Sequence, residues 1–328
     1  MTGAGLVAAG GALALAALLG VSDAPNAVAA LVSSRAGSYR PIAAWSVGWH
    51  LAGGLLAGST VAATVVGMVR VPVAAGLTAV LAAGCWSAVL FTWVTTRRGL
   101  PTSASVGLVG GLAGAGAATG GWHAVSWSLV GGVLAGILLA PAAGGLAAAV
   151  LESLVRRAAR RLRRRAAGPL RAGIWAACAA VALADGSNDG QKPMGILAVA
   201  LSGAGTAGGA GPGISWPDRI ACSALLAAFT VVADRAVVTT VARGLSRSGA
   251  ADDLAAQVSS AAVILLAGAS GLPLSTSTVV TSAKAGAGMA RRRLRAGQVL
   301  RIATAWAVTV PGCAACGAAL MGLWRLAG

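Results

Sequence analysis

Between its few charged residues this chain runs through repeated apolar stretches of about 20 residues, the length an α-helix needs to cross a bilayer. Of its 328 residues 57% are hydrophobic and only 10% charged, with a mean hydropathy of +0.81. A soluble domain of this size carries about 25% charged residues. Backbone inside lipid must satisfy its own hydrogen bonds, which favours helices, and 48 glycines let such helices approach closely. The expected fold is an all-α polytopic membrane protein.

The net charge of +17 is unevenly placed. Eight arginines form one run: Arg156, Arg157, Arg160, Arg161, Arg163, Arg164, Arg165 and Arg171. Basic residues gathered between membrane spans follow the positive-inside rule and predict that the loop 156–171 is cytoplasmic. Anionic headgroups of membrane lipids suffice as partner, and without a basic soluble domain nucleic acid is not an expected one. The five cysteines sit mostly in apolar segments, and Cys313 and Cys316 read as small residues on one helix face. His50 and His123, each following a tryptophan near a span end, offer little to a zinc site. Nine of the ten tryptophans lie toward span ends, as interface anchors do. Residues 1–30 have an apolar run that no Lys or Arg precedes, and Asp23 and Asn26 interrupt its end. They read as a broken membrane segment rather than a signal peptide.

The arginine run divides the chain into a first membrane repeat, 1–150, a basic loop, 151–171, and a second repeat, 172–328. Each half opens with an apolar stretch interrupted by a polar cluster and later carries Gly-Leu-Pro followed by hydroxyl residues. The first half has Val21-Ser-Asp-Ala-Pro-Asn-Ala27 and Gly99-Leu-Pro-Thr-Ser-Ala-Ser105. The second has Asp185-Gly-Ser-Asn-Asp-Gly-Gln-Lys192 and Gly271-Leu-Pro-Leu-Ser-Thr-Ser-Thr278. Asp23 precedes Pro101 by 78 positions and Asp189 precedes Pro273 by 84. Two features recurring in order at similar spacing mark an internal duplication, and polar breaks in corresponding segments mark the site of a secondary transporter. The stretch after each Gly-Leu-Pro is only about 15 residues, short for a span and suited to a re-entrant hairpin. Segments near 44–68, 72–94, 122–150, 220–242, 254–270 and 297–324 read as ordinary spans. Counting each broken segment as re-entrant gives three ordinary spans per half, hence inverted repeats; counting it as a crossing gives four.

Three of only eight acids, Asp23, Asp185 and Asp189, fall in the two polar clusters. A carboxylate at mid-bilayer costs about 2.5–3.5 kcal/mol, so it marks function by default; the alternative is a packing role beside a cation, of which Lys192 is the only one nearby in sequence. Asp and Asn oxygens with unwound carbonyls suit Na⁺, and Asp23 with Asn26 and Asn188 with Asp189 supply such a group in each half. Pro25 ends the first helix, having no N–H and colliding with the preceding turn. The hydroxyls of Thr102, Ser103, Ser105, Ser275, Thr276, Ser277 and Thr278 follow a proline near a helix start, where free N–H groups and the helix dipole attract an anion. Helix capping alone is the simpler role; two clusters in equivalent places favour anion binding. Lys284 either snorkels to the interface or adds positive charge near the anion. Asp234 and Arg235 read as structural polar groups within a span, and Gly203-Ala-Gly-Thr-Ala-Gly208 as a segment end, since no βαβ unit surrounds its GxGxxG pattern.

These motifs resemble the PiT family of inorganic phosphate transporters. Gly20-Val-Ser-Asp-Ala-Pro-Asn-Ala27 is similar to its first signature, G-x-N-D-x-x-N-A, and Asp185-Gly-Ser-Asn-Asp-Gly-Gln-Lys-Pro-Met-Gly195 to its second, H-G-x-N-D-x-Q-K-x-M-G. Residues 99–111 and 271–288 are similar to its hairpins. The resemblance implies two homologous inverted repeats with broken helices and re-entrant hairpins, importing phosphate with Na⁺ or H⁺ by alternating access. It implies Asp23, Asn26, Asn188 and Asp189 for the coupling ion, and Thr102, Ser103, Ser275 and Thr276 for the anion, with Gln191 and Lys192 in support. An oligomer occurs in this family, so a homo-oligomer is an expectation here. Ser22 stands where the family has Asn, Asp185 where it has His, Val106 and Thr278 where each hairpin has His, and Gln257 where Glu is common. Proton coupling through those hairpin histidines is thereby excluded.

A sulfate permease of the same fold is the nearest rival. Phosphate donates hydrogen bonds at neutral pH and sulfate does not, so buried acceptors such as Asp23 or Asp185 would select phosphate. An intramembrane serine hydrolase using Ser103 or Ser275 lacks a base near the motifs, and no cofactor is called for. A membrane scaffold or sensor that has lost transport is the third reading.

Overall fold

The computed structural model describes residues 2–327 apart from 35, 73, 75, 99–101, 163–166, 203–212, 233–248 and 290–295, with backbone alone at 162 and 296–306. Asp234 and Arg235, Gly203–Gly208, Gly99-Leu-Pro101 and the arginines at 163–165 and 291–295 lie outside the described residues. Helices make up the described fold: α1 (Gly3–Ser22), α2 (Ala29–Ser33), α3 (Tyr39–Leu56), α4 (Thr60–Gly67), α5 (Leu77–Arg97), α6 (Ala104–Gly120), α7 (Trp127–Leu162), α8 (Ala167–Ser202), α9 (Trp216–Val232), α10 (Ala250–Ala269), α11 (Thr276–Met289) and α12 (Ala296–Ala327). Six are long and apolar enough to span a membrane, and the pair α3–α4, bent by 70°, makes a seventh candidate. Exposure is inverted relative to a soluble protein. Leu138, Leu139 and Leu146 on α7 are 63–69% exposed, whereas Asp185, Asp189 and Lys192 are completely buried. Apolar side chains meet lipid and charges face one another inside.

The first segment breaks as its sequence requires. Pro25 sits in the first turn of a 3₁₀ stretch, Ala24–Val28, that separates α1 from α2. The second polar cluster differs from expectation: residues 185–192 lie within the continuous helix α8, and so does Pro193. Two residues after its aspartate the first half has Pro25, and the second has Gln191, which keeps its N–H for the helix; two residues further on, α8 continues through Pro193. Segment 44–68, read as one span, is instead bent at Ala57–Ser59. Side chains cover the groups this frees: Gln191 Oε1 accepts from Val61 N at 3.0 Å and Arg219 donates to Ala57 O; the Thr60 hydroxyl ties the bend to α10 by donating to Gly268 O at 2.8 Å. The arginine run expected in a loop is mostly helical, because α7 extends to Leu162 and α8 resumes at Ala167. Arginine and alanine are good helix formers. At 36 residues α7 measures roughly 54 Å, so its basic end projects beyond a core of about 30 Å.

The helices after each Gly-Leu-Pro are short as expected, 17 residues in α6 and 14 in α11. Packing repeats between the halves. α1 lies on α5 as α8 lies on α10; α5 pairs with α6 as α10 pairs with α11; α6 packs on α12 as α11 packs on α7; and α1 meets α9 as α8 meets α3. Small residues at matched positions make these approaches possible. A methyl group on Gly20 would run into Leu226 O, and one on Gly186 into His50 O. These glycines each stand three residues before a cluster aspartate. Gly114 against Ala314 and Gly286 against Gly145 repeat the device in the hairpins.

Candidate functional site

Two polar stretches meet where the 3₁₀ turn packs on α8 and α11. Asp23 and Asn26 come from the turn; Asp185, Asn188, Asp189, Gln191 and Lys192 come from α8. All are buried to within 2% of complete. The Asn26 amide donates to Ser22 O at 3.2 Å and Asp23 O at 3.0 Å, taking carbonyls that the end of α1 leaves free. Gln257 on α10 donates to Ala27 O at 3.1 Å and does the same one residue later. The break is therefore satisfied inside the protein, as backbone at membrane depth must be.

Lys192 is the hub. Its ammonium donates to Asp189 Oδ1 on its own helix, to the Ser105 hydroxyl at 2.7 Å in the first turn of α6, and to Leu274 O just before α11. One nitrogen thus draws both hairpin starts together. Asn188 holds the second start, donating to Leu272 O at 2.9 Å and accepting from Leu274 N at 3.1 Å. Asp23 is in electrostatic range of Asp185 and Lys192 and interacts with the Ser277 hydroxyl. Ser275 and Ser277 are bonded at 3.0 Å, and Ser103 caps α6 through Val106 N.

Several buried atoms in this region have no protein partner: Asp23 Oδ2, Asn26 Oδ1, Asp189 Oδ2, Ser22 Oγ and Thr276 Oγ1. A buried polar group without a partner carries a desolvation cost of about 1–3 kcal/mol. The carboxylate and amide oxygens here are hard donors of the kind an alkali cation takes, while the Thr276 hydroxyl can donate to an anion.

The structure divides the residues expected from sequence into three groups. Asp23, Asn26, Asp189, Lys192, Ser275 and Thr276 belong to the converging region. Asn188 and Gln191 grip neighbouring backbone, the latter bonding Val61 N and Ser187 O. Ser103 is a cap, and Thr102, only half-buried, pairs with Thr95 on α5 at 2.6 Å. Lys284 does not snorkel: it is 5% exposed, and its charged neighbour is Asp253. Ser105 and Ser277 emerge as partners of Lys192 and Asp23; their shared offset of two from Ser103 and Ser275 was the available signal. His50 was not legible. Its Nε2 lies 3.1 Å from Asp185 Oδ2, both side chains fully buried, and Nδ1 is 2.9 Å from Ser46 O. The approach to Asp185 is off the line of a directed hydrogen bond. Asp185 thus has a buried imidazole neighbour that proximity in sequence did not reveal.

Known proteins share this fold. The solved structure of a sodium-dependent phosphate transporter superposes with a TM-score of 0.86 at 21% identity, covering 99% of this chain and all of its own; at that identity the likeness is one of fold. A probable low-affinity inorganic phosphate transporter of Mycobacterium bovis is 31% identical over 313 residues, 94% of this chain and 75% of its own length. One from Rhizobium meliloti is 30% identical over 300 residues, 90% and 89% of the two chains. These relatives are named as transporters, not enzymes. The model of the phosphate transporter family matches residues 19–317, from the first signature to the last helix, and the chain belongs to that family.

Proposed function

We propose that this protein imports inorganic phosphate across the cytoplasmic membrane together with a cation, Na⁺ or H⁺, by alternating access of two inverted repeats. The observation that carries the reading is the convergence of both hairpin starts on Lys192 beside Asp23 and Asp189. The unpartnered oxygens of Asp23 and Asn26 take the cation, with Asn188 fixing the adjoining loop and Asp189 paired with Lys192 beside them. The hydroxyls of Ser275 and Thr276 face the anion at the start of α11, where free N–H groups favour negative charge, and Ser103 and Thr102 shape the corresponding start of α6 through their cap and their bond to Thr95. Lys192 and Gln191 support this region, the first by charge and the second by holding α4. The basic ends of α7 and α8 lie on the cytoplasmic side, against anionic lipid.

A cation bound at Asp23 neutralises the carboxylates that would otherwise repel phosphate, so each ligand favours the other. Buried acceptors at Asp23 and Asp185 suit an anion that can donate a hydrogen bond, which separates phosphate from sulfate. The test is radiolabelled phosphate uptake into proteoliposomes under Na⁺, H⁺ or no gradient, with sulfate as competitor. Gradient-driven uptake should fall at least about a hundredfold in Asp23→Asn and about tenfold in Ser275→Ala, the losses expected for a charged and a neutral contact. Strong competition by sulfate would assign a sulfate permease, and no uptake of either anion would remove the transporter reading for this chain.

A further inference from the structure

The two polar clusters occupy the same register but are not chemically equal. Asp23 corresponds to Asp189, and three residues on, Asn26 corresponds to Lys192. The hairpin hydroxyls Ser105 and Ser277 also correspond, each fourth after its Pro. Each cluster faces the other half's hairpin: Lys192 bonds Ser105, and Asp23 lies near enough to the Ser277 hydroxyl to feel it electrostatically. The molecule therefore holds two related sets, Asp23–Asn26–Ser277 and Asp189–Lys192–Ser105.

Around Lys192 Nζ the second set consists of a carboxylate oxygen, a hydroxyl oxygen and the backbone carbonyl of Leu274. That is the donor set an alkali cation takes in a membrane protein, hard oxygens with one carboxylate and one released carbonyl. An ammonium has three protons and no lone pair, and here three oxygens receive them. The first set has no such group. Asn26 is neutral, its amide is spent on Ser22 O and Asp23 O, and Asp23 Oδ2 and Asn26 Oδ1 are left without protein partners. Within the sets, Asp189 is neutralised by its own helix and Asp23 is not.

We propose that the Lys192 ammonium is a tethered cation that permanently fills the second-half position, so that the protein binds one mobile cation, at Asp23 and Asn26, rather than two. This rests on the cation-coupled reading above and adds its stoichiometry. Lys192 then has no donor left for the anion while both hairpin starts are held; its role is to lock Ser105 and Leu274 in place around a fixed charge. The mobile cation does the corresponding work between Asp23 and the Ser277 hairpin, and only that half of the site opens when the ion leaves.

The experiment is equilibrium binding of radiolabelled Na⁺ to the purified full chain in detergent, beside phosphate uptake by the same preparations. Lys192→Asn copies the first-half residue into the second set, and Lys192→Ala, with ethylammonium added as a detached substitute for the side chain, is the second variant. Each variant should bind one more Na⁺ per protein than the natural chain, and ethylammonium should displace that additional ion from Lys192→Ala. Two Na⁺ on the natural chain would overturn the proposal without any variant, as would equal numbers on all three proteins. The transport reading fails separately. A chain that shows the one-ion difference but moves no phosphate keeps the tethered cation and loses the symporter; phosphate uptake with equal ion counts does the reverse.

Discussion

His50 meets Asp185 deep between α3 and α8. Ser46 O can only accept, so Nδ1 donates to it, and Nε2 lies 3.1 Å from Asp185 Oδ2 with both side chains fully buried. Removing one partner strands the other. His50→Gln and Asp185→Asn should each destabilise the protein by about 3–5 kcal/mol, and the double variant by clearly less than the two together, read from denaturation in detergent. Simple additivity would show that the residues are not coupled. Nothing near either residue in sequence announces this pair; only the α3–α8 contact creates it. The Asp23, Asp189 and hydroxyl positions were legible because a carboxylate or a Pro-Ser/Thr cluster is rare enough in an apolar chain to stand out. Their partners were not, since Lys192 bonds Ser105 and Leu274 across the halves.

At the scale of helices, the approach of α3 to α8 depends on missing side chains. A Cβ on Gly186 would collide with His50 O and one on Gly53 with Leu183 O. Gly186→Ala should cost about 1–3 kcal/mol through forced separation and weaken transport by pushing His50 from Asp185. Gly131→Ala on α7, where a Cβ meets nothing within 4 Å, should instead stabilise slightly by lowering the entropy of the unfolded chain. Equal effects of the two on unfolding and uptake would show that close packing is not the reason for the glycine. The short helices α6 and α11 and most span positions could be read from apolar run length. The bend between α3 and α4 could not, because the atoms that compensate it, on Gln191 and Arg219, come from distant segments. At the register position of Pro25 α8 has Gln191, and the helix also runs through Pro193.

Across the whole molecule the duplication was visible as two motifs at similar spacing, and the structure adds how the halves interlock, several helix pairings of one half recurring in the other among the described residues. Orientation can be tested directly. Four of the five cysteines are buried and Cys316 is half-buried, so the natural chain should react little with a membrane-impermeant maleimide. Arg161→Cys, exposed at the basic end of α7, should be labelled in inside-out vesicles and not in intact cells. Labelling in intact cells would place the arginines outside. The exchange of partners between the halves has a further consequence, for how the sequence can change over time. Since Lys192 bonds Ser105 of the opposite half and Asp23 faces the opposite hairpin at Ser277, the two repeats are tied together at these positions. A substitution in one signature is answered, if at all, in the opposite hairpin, and two copies that arose by duplication are bound to diverge as complements rather than as independent units.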